Sequence, residues 1–159
     1  MSQETISYPY TAKNGSNYII RFKYTPGMIP AGVTILIPII EVIIFTEDNV
    51  EIIQTSTTLL ELVTLIRSNA DLVDAVYYSV CSDKMILKSA KRSDLSHQEY
   101  RSQLFSSMFN KANADKKYIN KPVVITDLNV GNHYIHLMTL EKNQDVIDII
   151  SEELKKHDK

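Results

Sequence analysis

The sequence contains one cysteine, no tryptophan, four glycines and five prolines among its 159 residues. With Cys81 alone, the chain can form neither an internal disulfide nor a zinc site built from several cysteines. The scattered glycines exclude the Gly-rich dinucleotide fingerprint and the P-loop. His133 and His136 are three residues apart in a predicted strand, which places them on opposite faces. The sequence therefore predicts no metal site and no cofactor.

The sequence also lacks a long apolar segment. The longest run, Val33–Phe45, has thirteen residues and contains Pro38 and Glu41, whereas a membrane helix needs about 20 apolar residues. The N-terminus is polar and acidic and leads into no apolar stretch, unlike a secretion signal. Hydrophobic residues make up 44% of the chain and charged residues 23%, which is typical of a globular protein. We therefore expect one cytoplasmic domain over 1–159 with no membrane segment.

Hydrophobic spacing predicts elements in the order β-β-β-α-β-α-β-β-α. Hairpins dominate this order, so we expect an α+β fold with a mainly antiparallel sheet of about six strands and helices mainly on one face. Capping-box spacing, a Ser or Thr three residues before a Glu, occurs at Thr58 and at Ser96. The predicted helices cover about 58–68, 97–112 and 144–156.

A hairpin is predicted in the first thirty residues. Apolar and aromatic residues alternate with polar ones on both sides of Asn14-Gly15, and a three-residue loop over 14–16 places both apolar sets on one face. This loop pairs Tyr10 with Ile20, Tyr8 with Phe22, and Ile6 with Tyr24.

The segment from Thr34 to Phe45 is apolar on both faces of a strand. It is either a central strand covered on both sides or a strand that leans on a partner chain. Pro38 cannot donate to a sheet ladder, which favours an edge or a bulge. The segment is therefore our candidate surface for a protein partner or for self-association. The candidate interface residues are Ile35, Ile37, Ile39 and Ile43.

Positive charge is concentrated in the middle of the chain. Residues 83–121 hold nine Lys or Arg against four Asp or Glu, while the rest of the chain is acidic. Such a segment either contacts phosphates of a nucleic acid or forms two solvated loops beside a helix. The candidate phosphate contacts are Lys84, Lys88, Lys91, Arg92, Lys111, Lys116, Lys117 and Lys121.

One charged residue lies on a helix face that should be dry. On the helix predicted over 97–112, Arg101 lies near the middle of an apolar arc about 180° wide, and His97 lies inside the same arc. A buried guanidinium needs a carboxylate or carbonyl partner, for which Asp83 and Glu41 are the candidates. Three interpretations remain open: a side chain that reaches water, a structural ion pair, or an anion-binding site.

Two segments carry a family resemblance. They are Tyr77-Tyr78-Ser79-Val80-Cys81-Ser82-Asp83 and Arg101-Ser102-Gln103-Leu104-Phe105-Ser106-Ser107-Met108-Phe109. With the Tyr-rich N-terminal strand pair, they make the chain resemble a family of small bacterial proteins known only as a domain of unknown function. Met108 stands where that family tends to carry Trp. The resemblance implies a cytoplasmic bacterial protein, and it transfers no catalytic role because none is established for the family.

These observations favour a non-enzymatic binding or accessory module that acts through a protein partner or self-association. A nucleic-acid-binding protein that uses 84–121 is the alternative. A small hydrolase or nuclease around Arg101, His97 and Asp83 is the third reading, and it requires these side chains to meet in one cleft.

Overall fold

The strands form one mixed sheet. The computed structural model describes residues 5–13, 15–25, 35, 37–46, 56–80, 94–126 and 132–155. In chain order the strands are β1 (Thr5–Thr11), β2 (Asn17–Tyr24), β3 (Ile39–Thr46), β4 (Val76–Val80), β5 (Tyr118–Ile125) and β6 (His133–Leu140). Their order in the sheet is β1-β2-β3-β4-β6-β5. Among the described strands only β3 and β4 pair in parallel, so the predicted α+β fold with a mainly antiparallel sheet is confirmed.

Three α-helices accompany the sheet in the described residues. They are α1 (Ser56–Ala70), α2 (His97–Ala112) and α3 (Gln144–Lys155), the last preceded by a 3-10 turn at Glu141–Asn143. The predicted start of α2 is confirmed, because the Ser96 hydroxyl accepts a hydrogen bond from the Glu99 N–H at 3.2 Å. The predicted start of α1 is wrong by two residues. Thr58 lies in the first turn of that helix and is buried.

The sheet is covered on both faces. Helices α1 and α2 pack on one face, and α3 packs on the other, against β5 and β6. Two of the three described helices thus share a face, as predicted. The sheet residues under α1 and α2 are Tyr18, Ile20, Phe22, Ile40, Val42, Tyr77 and Met138. Those on the side of α3 are Ile39, Val76, Tyr78, Val123, Ile135 and Leu137.

The first hairpin differs from its predicted register. Tyr8 pairs with Ile20 and Tyr10 with Tyr18, which is a shift of two residues from the expected pairing. The three-residue connection lies one residue earlier than expected, over 13–15 instead of 14–16, because the Ala12 N–H donates to the Ser16 carbonyl at 2.8 Å. A shift of two keeps every side chain on its predicted face. The apolar face was therefore correct and the register was not.

The apolar segment that we proposed as an interface lies mostly inside the sheet. Strand β3 pairs with β2 on one side and with β4 on the other. Ile39 is 2% exposed, and Ile35 and Ile37 pack against the same cluster. Pro38 precedes the strand, so it interrupts no ladder within β3. Ile39 is thus a core residue of this chain, whereas Ile35, Ile37 and Ile43 are partly exposed, and a binding role for them stays a prediction.

None of the described helices has both the length and the apolar character needed to cross a bilayer.

Candidate functional site

Arg101 lies in the buried part of α2, as its helical position predicted. It is 8% exposed, and it interacts with its surroundings. The guanidinium is close enough to Tyr18 to lower the pKa of that hydroxyl, although burial is the main influence and raises it. The interpretation in which the head group of Arg101 reaches into water is therefore wrong.

An acidic side chain of α1 belongs to the same corner of the molecule. The Glu61 Oε1 atom accepts hydrogen bonds from the Tyr10 hydroxyl at 2.6 Å and from the Lys13 backbone N–H at 3.0 Å. Its carboxylate raises the pKa of Tyr10 through this hydrogen bond and also raises the pKa of Tyr18, which burial raises most. The carboxylate that acts on the same hydroxyl as Arg101 is thus Glu61, which the sequence did not single out.

Neither predicted partner of Arg101 is found beside it in the described part of the chain. Glu41 lies on β3, and its side chain is on the same face of the sheet as that of Ile39, which is the face on which α3 packs. In the pairing of β3 with β4, Glu41 is opposite Tyr78. The sheet therefore separates Glu41 from α2, and the predicted Glu41–Arg101 pair is wrong. His97 is the first residue of α2 and is half-buried. Asp83 lies outside the described residues, so the cleft required by a hydrolase or nuclease stays a prediction.

The predicted basic segment is described in its second half. Lys84, Lys88, Lys91 and Arg92 lie outside the described residues. Lys111, Lys116 and Lys117 are exposed near the end of α2. Two lysines of this half are paired with carboxylates. Lys117 Nζ lies 3.4 Å from an Asp71 oxygen, and Lys121 Nζ lies 2.9 Å from an Asp148 oxygen. Binding of nucleic acid by this segment remains a prediction.

A buried histidine joins α2 to the sheet. His136 of β6 is 0% exposed, and its Nε2 atom lies 2.9 Å from the Ser102 hydroxyl. Its Nδ1 atom lies 3.0 Å from the Asn120 Oδ1 atom, while the Asn120 amide donates to the Ser106 hydroxyl at 3.4 Å. The Phe105 ring lies over the imidazole, with centroids 4.5 Å apart. Because an amide oxygen accepts, Nδ1 carries the proton and Nε2 accepts from Ser102.

The order hydroxyl, imidazole, amide has the connectivity of a nucleophile, a base and an orienting group. Two features oppose a catalytic use. Ser102 is only 8% exposed, and burial lowers the pKa of His136 to about 4. Proton transfer from Ser102 would create an imidazolium where the charged form is strongly disfavoured. The geometry therefore supports a satisfied polar connection within the core.

The sequence pattern predicted the strand that contains His136 but did not indicate its contacts with Ser102 and Asn120. One sequence feature could have indicated its burial. Because His136 and Met138 are two residues apart on β6, their side chains lie on the same face of the sheet, beneath α2. Its partners come from α2 and β5, and no sequence spacing relates these elements. The described residues contain no group of three His, Cys, Asp or Glu side chains that could hold a metal ion.

The outer strand β1 presents apolar side chains to solvent. It forms one edge of the described sheet. Ile6 is 39% exposed and Tyr8 is 46% exposed, and both lie on the face that α1 and α2 cover farther in. The Tyr8 ring meets Phe22 edge-on, with centroids 5.9 Å apart. An uncharged edge strand with exposed apolar side chains is a template for pairing with another strand.

The opposite edge is less suited to such pairing. Strand β5 carries Lys121 and Pro122 in adjacent positions, and both a charge and a proline discourage the addition of a strand. Residues of β1 include one proline, Pro9, and no charge. The β1 edge is therefore the better binding surface of the two.

Comparison with known proteins identified no relative. No family model, no curated protein and no solved structure matches the chain. Membership of the family that the sequence resembles stays a prediction.

Proposed function

We propose that the protein is a binding module that acts through a protein partner, which adds a strand to the edge of β1. The exposure of Ile6 and Tyr8 on one face of an edge strand carries this proposal. Main-chain hydrogen bonds supply affinity in strand addition, and alternate side chains supply specificity. A cytoplasmic location agrees with this role, since the single Cys81 gives the chain no internal disulfide.

In β1, the backbone N–H and C=O groups of alternate residues point away from β2. The Ala12 N–H donates to the Ser16 carbonyl at 2.8 Å and extends the ladder between β1 and β2. Residues of the same parity as Ala12 therefore bond to β2, and those of the other parity face outward. Pro9 belongs to the outward set, where its missing N–H costs no bond to β2. The outward row is Thr5, Ser7, Pro9 and Thr11.

A photoreactive amino acid at position 5 tests the proposal in cells that naturally contain the protein. We expect a discrete protein adduct that Ser7→Pro abolishes and Ser7→Ala retains. Both variants remove the hydroxyl that accepts from Arg21 Nε at 3.2 Å, but only the proline removes the outward N–H. The same photoreactive group at Leu72, which is 84% exposed, is the positional control. Identical adducts from positions 5 and 72, or adducts that persist with Ser7→Pro, would contradict strand addition.

A further inference from the structure

We infer that the strand added to β1 is the β1 strand of a second copy, paired antiparallel about Ser7. This inference rests on the proposed function and names its partner. A two-fold contact uses the same surface of both copies, so the strand must be complementary to itself. The sequence of β1, Thr-Ile-Ser-Tyr-Pro-Tyr-Thr, meets this condition in its backbone and its side chains, and the strand itself carries no charge.

The backbone condition concerns the outward row. With the two Ser7 residues opposite each other, each donates to the other's carbonyl, and each Thr5 N–H donates to the carbonyl of Pro9 in the second copy. This pairing gives about four hydrogen bonds across the seam. Pro9 supplies an acceptor but no donor, so the ladder ends there. Pairing is therefore limited to residues 5–9 of β1.

The side-chain condition concerns the two exposed apolar residues. In this register Ile6 lies directly opposite Tyr8 of the second copy, and Tyr8 lies opposite its Ile6. They occupy the closer, non-hydrogen-bonded positions, where β-carbons are about 4.5–5.5 Å apart. A single contact thus covers all four of the exposed side chains, which are 39% and 46% exposed in each copy. An aromatic residue opposite a β-branched one is a favourable cross-strand pair.

The charge condition arises because a two-fold contact brings identical charges of the two copies together. No charged residue occurs in β1. The nearest cation, Arg21, belongs to β2 and pairs with Ser7 in the register. The Arg21 backbones would lie three strand spacings apart, about 14 Å, but Arg21 Nε reaches to 3.2 Å from the Ser7 hydroxyl, so the two guanidinium groups come closer to the seam than their backbones. Their repulsion opposes the contact, and because salt screens it, dimerisation should strengthen as the salt concentration rises.

The contact is short, so the dimer should be weak. Pairing over residues 5–9 of each copy buries less than the roughly 1,200 Å² that stable interfaces bury at minimum. We expect a dissociation constant on the order of 100 µM, with rapid exchange between monomer and dimer. Sedimentation equilibrium from about 1 µM to about 1 mM should show the mass rising from 18.1 kDa toward twice that value.

Variants at position 7 give the direct test. Ser7→Ala should dimerise within threefold of the wild-type dissociation constant, and Ser7→Pro should weaken dimerisation at least tenfold. Hydrogen exchange on the unmodified protein is the second measurement, because it does not depend on the folding of a variant. The Thr5 and Ser7 amides should exchange more slowly at high concentration, while amides around Leu72 should not change.

Three results would overturn the inference. They are a mass of 18.1 kDa at about 1 mM, a dimer that Ser7→Pro leaves intact, and Thr5 and Ser7 amides whose exchange does not depend on concentration. An adduct from position 5 that contains a different protein and needs the Ser7 N–H would refute the second copy and leave the proposed function standing. If no adduct depends on that N–H, and the chain stays monomeric, both proposals fail.

Discussion

The buried imidazole of His136 should make the stability of the protein depend on pH in a defined window. Burial lowers its pKa from 6.5 to about 4. Above pH 6.5 the imidazole is neutral in both the folded and the unfolded protein, so its contribution to stability is fully present. As the pH falls from 6.5 toward 4, only the unfolded chain takes up the proton, and the free energy of unfolding decreases. Below about pH 4 both states are protonated and the loss levels off.

The size of this effect follows from the pKa difference. Each unit is worth about 1.4 kcal/mol, so the loss between pH 6.5 and pH 4 amounts to about 3 kcal/mol. Salt-bridged carboxylates such as Asp71, Asp74 and Asp148 have pKa values lowered below 3.8 by their hydrogen-bond partners. Their contributions are lost at lower pH than that of His136. Equilibrium denaturation in urea at half-unit intervals from pH 7.5 to pH 4 should therefore show the effect of His136.

A pair of variants on one strand separates His136 from the other groups. His136→Gln should lower stability at pH 7, because the connection to Ser102 and Asn120 is disturbed, and should remove most of the pH dependence in this window. His133→Gln, at an exposed position of β6, should leave the pH dependence in place. Our reasoning would be refuted if His136→Gln retained the full slope, or if the His136 ring titrated near pH 6.5 by NMR.

Three further predictions concern the helix cap, the core and a hydrogen bond to a carboxylate. Ser96→Ala should lower the free energy of unfolding by about 1 kcal/mol in urea, because α2 loses its N-cap. Leu62→Ala, at a position that is 0% exposed, should cost about 2–5 kcal/mol in the same assay, whereas Leu72→Ala should change stability by less than about 0.5 kcal/mol. Tyr118→Phe should raise the pKa of Asp71 in an NMR titration, because the Tyr118 hydroxyl is the main group that lowers it; an unchanged pKa would contradict that assignment.

The elements whose ends are set by interactions between residues close in sequence were predicted best. The bounds of α2 agree with the prediction, because Ser96 and Glu99 define its start through a local hydrogen bond. The strand predicted to contain His133 and His136 is β6. The register of the first hairpin was missed, because alternation fixes which face a residue occupies but not which residue stands opposite.

The candidate site shows the same division. The burial of Arg101 followed from its place on the apolar arc of α2. Its surroundings did not, because Tyr18 and Glu61 come from β2 and α1, and Glu41 lies across the sheet. Likewise, the apolar composition of β3 did not say where the strand lies in the sheet, and only its pairing with β2 and β4 made it a central strand.

By itself, the sequence determined the types of most elements, the apolar faces of the first hairpin and of α2, and the α+β class, because these follow from periodicity and from contacts within a few residues. Tertiary structure alone decided that β1 is an edge strand and that Ser102, Asn120 and His136 meet beneath α2. The physical reason is that strand order and buried polar contacts join residues far apart in the chain, and local spacing carries no information about which distant groups satisfy one another.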